Sequence, residues 1–220
     1  KKLNAAFSHD LRTPLTVIEG HLGILQKYTP EGKLSAADTM KTYAIMAGQI
    51  ERLKSYVASM NTLQRLEDVP IVRKQLISSD FIAMLNDTAE MVCKNKNLSI
   101  SDKTAAISLC VDPEIVLQVF ENLLSNAARY AKSSISIQYV VENDTFSITV
   151  TDDGSGFDDT TLKSATNPFY TTEKKYNSGQ HLGLGLNICK ILCERHNGSI
   201  ILSNGITAGA SVTVRFGMTE

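Results

Sequence analysis

The stretch Asp112–Tyr130 reads DPEIVLQVFENLLSNAARY. Asp112 is suited to an N-cap and Pro113 to the first helical position, so the spacing predicts a helix over 112–130. Within Glu121-Asn122-Leu123-Leu124-Ser125-Asn126-Ala127-Ala128-Arg129-Tyr130, the residues Asn122, Asn126, Arg129 and Tyr130 fall at i, i+4, i+7 and i+8 and share one face. Around this helix lie short alternating runs that read as strands: Ile71–Ile77, Leu98–Ile100 and Ile107–Val111 before it, Ser134–Val141 and Thr145–Thr151 after it. The last two form a hairpin around Asn143-Asp144, and Ile200–Ser203 with Ala210–Arg215 makes another pair. Asp80–Lys94 reads as a helix opened by a Ser/Asp cap. Strands with interspersed helices and few tight βαβ crossovers predict an α+β sandwich, with helices on one face of a mixed sheet.

Further toward the N-terminus the period changes. Leu3, Phe7, Leu11, Leu15, Ile18, Leu22 and Leu25 make one helical stripe over residues 1–28, and Thr29, Pro30 and Gly32 break it. From Ser35 to Glu67, Tyr43, Ile50 and Val57 recur every seven residues beside Met46, Leu53 and Met60, a coiled-coil-like seam. Two such helices form a hairpin that cannot cover its own apolar stripes, which predicts a four-helix bundle from two chains, a homodimer. The fold expected is therefore multi-domain: an all-α helical hairpin over 1–68, then the α+β sandwich over 71–220, with the boundary near residue 70.

Composition narrows the function classes. Of 220 residues 43% are apolar and 20% charged, which excludes a disordered or fibrous chain. With 22 Lys+Arg against 23 Asp+Glu there is no broad basic surface, so nucleic acid is not expected as a partner. Cys93, Cys110, Cys189 and Cys193 show no CxxC pair and no zinc spacing, and read as inert thiols in a reducing compartment. No run of 18 apolar residues exists to span a membrane. The chain starts at Lys inside a helical pattern, which suggests a missing upstream part. Nine of 13 glycines lie in residues 151–220, so the C-terminal third is where the backbone needs freedom or close approach to a ligand.

Four segments carry chemistry. At about 100° per residue, His9 lies nearly opposite the apolar stripe of the first helix, which argues against a core histidine and leaves a plain surface histidine as the alternative. Two amides, a cation and an aromatic on the 122–130 face are costly in a core and sensible around a nucleotide; a polar solvent face is the alternative. Val150-Thr151-Asp152-Asp153-Gly154-Ser155-Gly156-Phe157 is a strand running into a D-x-G-x-G turn, and on its own it could be only a tight turn. Asn167-Pro168-Phe169-Tyr170-Thr171-Thr172 precedes a polar stretch, Glu173 to Gln180. Leu182-Gly183-Leu184-Gly185-Leu186 then opens an apolar helix, where free backbone amides suit phosphate.

Phe7-Ser8-His9-Asp10-Leu11-Arg12-Thr13-Pro14-Leu15 resembles the phospho-acceptor box of sensor histidine kinases, F-x-H-[ED]-L-R-T-P-L. The three later segments resemble the N-box, the D-x-G-x-G box, and the F-box and G2-box of the same kinases. Their Bergerat-type ATP-binding fold is shared with DNA gyrase, the Hsp90 chaperones and MutL. The resemblance runs over residues 7–216 with the boxes in family order. It departs at His181, where the first Gly of G-x-G-L-G-L is usual, at Arg129, where Lys is more frequent, and at Gly209-Ala210-Ser211, with Ser in place of Thr.

The resemblance implies residue roles. His9 is the phospho-acceptor, Asp10 holds its other nitrogen or accepts a proton, and Thr13, one turn along, orients the water that dephosphorylates a regulator. Pro14 removes a backbone hydrogen bond and is expected to bend the helix just past His9. Asn126 coordinates Mg2+ and Asp152 accepts the adenine amino proton, with Gly154 and Gly156 packing close to the base. Asn122, Arg129, Tyr130, Phe169, Gly183, Leu184, Gly185 and Ser211 complete the ATP site, and Asp153 is left without a role. The implied activity is ATP-dependent autophosphorylation of His9, then transfer to an aspartate on the receiver domain of a response regulator, with phosphatase activity toward that regulator as a further possibility. The implied location is the cytoplasmic side of a bacterial inner membrane, held there only through an upstream segment. The rival is an ATP-driven clamp of the gyrase kind, but such ATPases carry Glu four residues before the Mg2+-binding Asn, where this chain has Asn122.

Overall fold

The computed structural model describes residues 2–68, 70–104, 107–171, 183–205 and 209–219; the side chains of 2–10, 58–65, 67 and 68 lie outside the description. The chain divides into two compact units, and the backbone passes from the first to the second between Arg65 and Leu66.

The first unit is helical. α1 spans Lys2–Tyr28 and passes through Pro14 as one helix. α2 spans Ala36–Asp68. In the turn between them Gly32 N–H donates to Thr29 O and Lys33 N–H to Tyr28 O, with Gly32 at φ 63°, a value that favours glycine. Ser35 opens α2: its hydroxyl accepts Asp38 N–H at 3.0 Å and donates to the Asp38 carboxylate at 2.6 Å. The expected seam splits in two. Tyr43, Ile50 and Val57 are 53%, 43% and 53% exposed, and Leu15 and Leu22 are exposed on α1. Met46 and Leu53 are half-buried, as are Leu11 and Ile18, while Leu25 and Tyr56 are buried. An apolar stripe is thus left open on the hairpin. Met60, Leu3 and Phe7 belong to the side chains not described.

The second unit is built on a five-stranded mixed sheet. Its strands are β2 (Asn97–Lys103), β4 (Ser134–Glu142), β5 (Thr145–Asp152), β6 (Ser199–Asn204) and β7 (Ala210–Gly217), in the order β2-β4-β5-β7-β6. Only β2 and β4 are parallel. A separate antiparallel pair joins β1 (Lys74–Ile77) to β3 (Ser108–Val111). β4 and β5 meet at Asn143 and Asp144, whose φ of 50° and 56° are those of a two-residue type I′ hairpin. β5 alternates half-buried and buried along its length, as a sheet covered on one face requires.

That face is covered by α3 (Ser78–Val92), α4 (Pro113–Tyr130) and α6 (Gly185–Arg195). Val116, Val119, Phe120, Leu123 and Leu124 of α4 are buried, as are Phe146, Ile148 and Val150 of β5. Phe146 lies between the rings of Phe81, Tyr139 and Phe216, at centroid distances of 6.4, 6.4 and 6.5 Å. Tyr139 carries its hydroxyl out to the Asn86 side-chain oxygen at 2.9 Å, so the ring is buried without orphaning the oxygen. All four cysteines are free thiols, three of them buried. Burial pushes Cys193 up to about 12 and Cys189 well above its ordinary value, which keeps both thiols protonated and unreactive.

α4 is anchored at its start. Asp112 Oδ1 accepts from Glu114 N–H and Ile115 N–H, Oδ2 accepts Val72 N–H at 2.7 Å, and Asp112 N–H donates to His196 Nε2 at 2.9 Å. His196 is fully buried with its ring edge on Phe216. Two elements differ from the sequence reading. α3 begins at Ser78 without a side-chain cap, because Ile77, which has no polar side chain, holds the N-cap position; the Ser78 hydroxyl accepts Ile107 N–H. A short helix, α5 (Asp159–Ser164), was not expected; Asp158 caps it by accepting Thr161 N–H at 2.6 Å.

Candidate functional site

The polar face of α4 meets the start of α6. Asn122 donates its Nδ2 to Gln118 O at 2.9 Å, and its Oδ1 faces Gly185 so closely that a Cβ there would stand 3.1 Å away; Asn126 Nδ2 would be at 3.8 Å. A side chain at Gly185 would press on the Asn122 amide, whereas Asn126 would be in ordinary contact. At the other end of α4, the Arg129 guanidinium lies 5.3 Å from the centre of the Tyr130 ring, which is itself exposed.

The turn after β5 sits beside Tyr130. Asp152 is 8% exposed, and its Oδ1 accepts two backbone N–H groups, Gly154 at 2.7 Å and Ala210 at 3.2 Å. Its Oδ2 accepts no hydrogen bond from the described residues. A carboxylate so held is fixed in direction, with one acceptor oxygen left over. Gly154 packs on the Tyr130 carbonyl rather than on open space, and Gly209, at φ 82°, packs on the Asp152 carbonyl, so a side chain at either would collide with backbone. Thr151 and Ser211 share a hydroxyl hydrogen bond of 2.7 Å across β5 and β7.

Asp153 points the other way. Its carboxylate accepts Lys132 N–H at 2.8 Å, Ser133 N–H at 3.0 Å and the Ser133 hydroxyl at 2.6 Å. Hydrogen bonds from Ser133, first the side chain and then the backbone, hold this carboxyl well below the ordinary range.

The third wall joins α5 to α6. Tyr170 and Thr161 share a hydroxyl bond of 2.9 Å, Asn187 Nδ2 donates to Thr166 O at 2.9 Å, and Gly183, at φ 68°, lies against the Tyr170 carbonyl. Phe169 holds φ 63°, a conformation that costs an L-residue about 1–3 kcal/mol and marks a constrained corner. Leu184, buried, precedes α6.

The structure therefore brings together Asn122, Asn126, Arg129, Tyr130, Asp152, Gly154, Gly183 and Gly185 from α4, the β5 turn and the α6 start. Gly156, at φ 75°, lies just beyond, against the Asn204 side chain. His9 and Asp10 lie on the backbone of α1, their side chains outside the described residues; Thr13 is exposed on that helix. His181 also lies outside the described residues.

Residues 1–69 match the family model of the His Kinase A (phospho-acceptor) domain, and residues 111–220 match that of the histidine kinase-, DNA gyrase B-, and HSP90-like ATPases. The chain belongs to the sensor histidine kinases. It is 28% identical to the sensor histidine kinase SpaK of Bacillus subtilis over 98% of this chain and 47% of that protein. It is 31% identical to the signal transduction histidine-protein kinase BaeS of Escherichia coli K12 over 96% and 45%. The chain spans about half the length of these curated relatives. Among solved structures, the fold is shared with the histidine kinase AdeS of Acinetobacter baumannii (TM-score 0.60, 20% identity, 96% of this chain and 98% of that one). It is shared also with full-length ShkA in complex with AMPPNP (TM-score 0.64, 18% identity, 99% and 46%).

In this sensor histidine kinase, the segment Gly209-Ala210-Ser211 was visible as a motif but not its contact with Asp152: Ala210 supplies the second amide and Gly209 packs on the Asp152 carbonyl, while Asn187, which ties α6 to Thr166, carried no signal. These contacts are hidden in sequence, because each acts through backbone or through a partner remote in sequence. Asp153 was visible too, as a second carboxylate beside Asp152.

Proposed function

We propose that this chain is the kinase core of a two-component sensor, which binds ATP with Mg2+ in the α4, β5-turn and α6 cleft and transfers the γ-phosphoryl group to His9. The observation that carries the reading is Asp152, a buried carboxylate with Oδ1 pinned by two amides and Oδ2 left to accept one more N–H. That acceptor suits the adenine amino group, and a fixed acceptor favours it over a keto purine. Tyr130 flanks the base; Gly154 lets the turn pack on the Tyr130 carbonyl and Gly156 lets it pack on Asn204, while the Ser211 hydroxyl, joined to Thr151, lies on the sheet face opposite Asp152. Asn122, Arg129, Phe169, Gly183, Leu184 and Gly185 face the ribose and phosphates, where the first amides of α6 lack helical partners.

The Asn126 side chain makes no hydrogen bond to the described residues, so its amide oxygen is available as a hard ligand, which fits Mg2+. Bound there, the ion would neutralise charge on the phosphates. The chain's own groups do the rest. The His9 imidazole nitrogen attacks the γ-phosphorus, the bond from phosphorus to the β,γ-bridging oxygen breaks, ADP leaves, and Asp10 takes the ring proton. In the second transfer a receiver-domain aspartate of a response regulator attacks the phosphorus and the P–N bond breaks. Thr13, exposed one turn beyond His9, orients the water for hydrolysis of the phosphorylated regulator.

Two chains associate through residues 1–68, which the open stripe of Tyr43, Ile50 and Val57 supports, while residues 71–220 bind ATP. Among the described residues no helix is long and apolar enough to cross a membrane. We place the chain on the cytoplasmic side of a bacterial membrane protein, attached through an upstream segment.

A gyrase-like clamp needs a base for water at position 122. There the Asn122 amide donates to Gln118 O, and Glu121, exposed, is a helix step of about 100° away. Incubation with ATP and Mg2+ distinguishes the two. Acid-labile, base-stable phosphoprotein supports the kinase, and steady phosphate release without phosphoprotein would overturn it.

A further inference from the structure

Asp153 does not face the side of the turn where Asp152 presents its open oxygen, yet its carboxylate fastens the two segments that frame that oxygen. One is the turn after β5, which carries Asp152. The other is Ala131–Ser133, which leads out of α4 just past Arg129 and Tyr130. Asp153 takes the amides of this segment, Lys132 and Ser133, together with the Ser133 hydroxyl, and returns its own N–H to Ser134 O at 3.2 Å. From the other side Lys96 Nζ takes the carbonyls, Ala131 O at 2.6 Å and Lys132 O at 3.2 Å, where a cation also suits the C-terminal end of a helix. The segment is held by its donors and its acceptors at once. Across the gap, the Tyr130 carbonyl rests against Gly154.

We propose that Asp153 is a positioning residue for purine recognition: it fixes the spacing and direction of Asp152 relative to Arg129 and Tyr130, and so sets the preference for a 6-amino purine over a 6-keto purine. The inference rests on the ATP reading above. The hydrogen bonds from Lys132 and Ser133 to the Asp153 carboxylate lie at the surface, so water can replace them when the carboxylate is removed. What is lost is then the alignment of two segments rather than the fold. An acceptor held in place by neighbours reads a single N–H far better than one free to swing.

The test is calorimetric titration of the whole chain with ADP and with inosine diphosphate, which carries a keto oxygen in place of the amino group. In wild type ADP binds more tightly than inosine diphosphate. Asp153→Ala is expected to weaken ADP about tenfold while changing inosine diphosphate about twofold or less. Asp153→Asn keeps a side-chain oxygen for the Lys132 and Ser133 amides and is expected to restore most of the ADP affinity. If Asp153→Ala does not fold, Asp153→Ser, too short to reach Ser133, takes its place. Equal weakening of both nucleotides, unchanged ADP affinity in the Ala or Ser variant, or an Asn variant as weak as Ala would overturn the proposal. Wild type that binds neither nucleotide would instead sink the ATP reading itself.

Discussion

Asp152 concentrates the chemistry of the site in one oxygen. Asp152→Asn keeps Oδ1 as acceptor for Gly154 and Ala210 but turns the free position into an NH2 that meets the adenine amino group donor to donor. ADP affinity should fall about a hundredfold or more, with the melting temperature held within a few degrees, by calorimetry and thermal unfolding. Unchanged affinity would contradict the adenine assignment. His196 makes the complementary case of a titratable group that serves the scaffold. Burial, above all, holds its imidazole below the ordinary value of 6.5, and Nε2 accepts Asp112 N–H, which only the neutral ring can do. Between the folded and unfolded values the unfolded chain binds more protons. The contribution to stability is therefore complete above about pH 6.5 and is lost as pH falls through the depressed folded value. Melting temperature should drop between pH 7 and 5, and His196→Gln, which has no charge to gain, should flatten that slope. Equal slopes would assign the acid sensitivity to other groups.

At the level of elements, α4 is the joint between core and site. Its buried face carries Phe120 against Tyr139 at a centroid distance of 6.3 Å, and its polar face carries the two amides. Phe120→Ala should cost about 3–5 kcal/mol in urea unfolding, enough to unfold a marginal domain. A loss under 1 kcal/mol would mean the helix is not packed as described. This helix was legible in sequence because its signals are local: Asp112 and Pro113 mark its start, and its two faces alternate at helical period. The Asn143-Asp144 hairpin was legible for the same reason. α5 was not, since six residues show no periodicity and only the Asp158 cap betrays it. The start of α3 was misplaced because Ser78 and Ser79 lie inside the helix and the cap position falls to Ile77, which offers no side-chain acceptor.

For the molecule as a whole, the sequence period announced two architectures, helical up to residue 68 and mixed from 71. The seam every seven residues was visible as well, but not that Tyr43, Ile50 and Val57 would remain open while Met46 and Leu53 turn half inward. Which residues of a stripe are covered depends on how much surface a partner supplies, and one hairpin supplies too little. Ile50→Glu with Val57→Glu should shift the chain from dimer to monomer in sedimentation, because two charges would enter an apolar seam. A dimer that survives both would place the interface elsewhere. Asp152 and Asn126 were legible as polar residues at a strand end and on one helix face, and the fold places both beside glycine-lined backbone; their roles toward nucleotide and Mg2+ belong to the proposal. The site was hidden where β5–β7 pairing brings Gly209 and Ala210 beside Asp152, since that register is a property of the folded sheet. The central claim joins the two units in one reaction, so the most direct test is to incubate wild type and His9→Gln with γ-labelled ATP and Mg2+ and follow the protein-bound label. The account predicts acid-labile, base-stable label on wild type and none on His9→Gln; no label on wild type, or label that persists without His9, would contradict it.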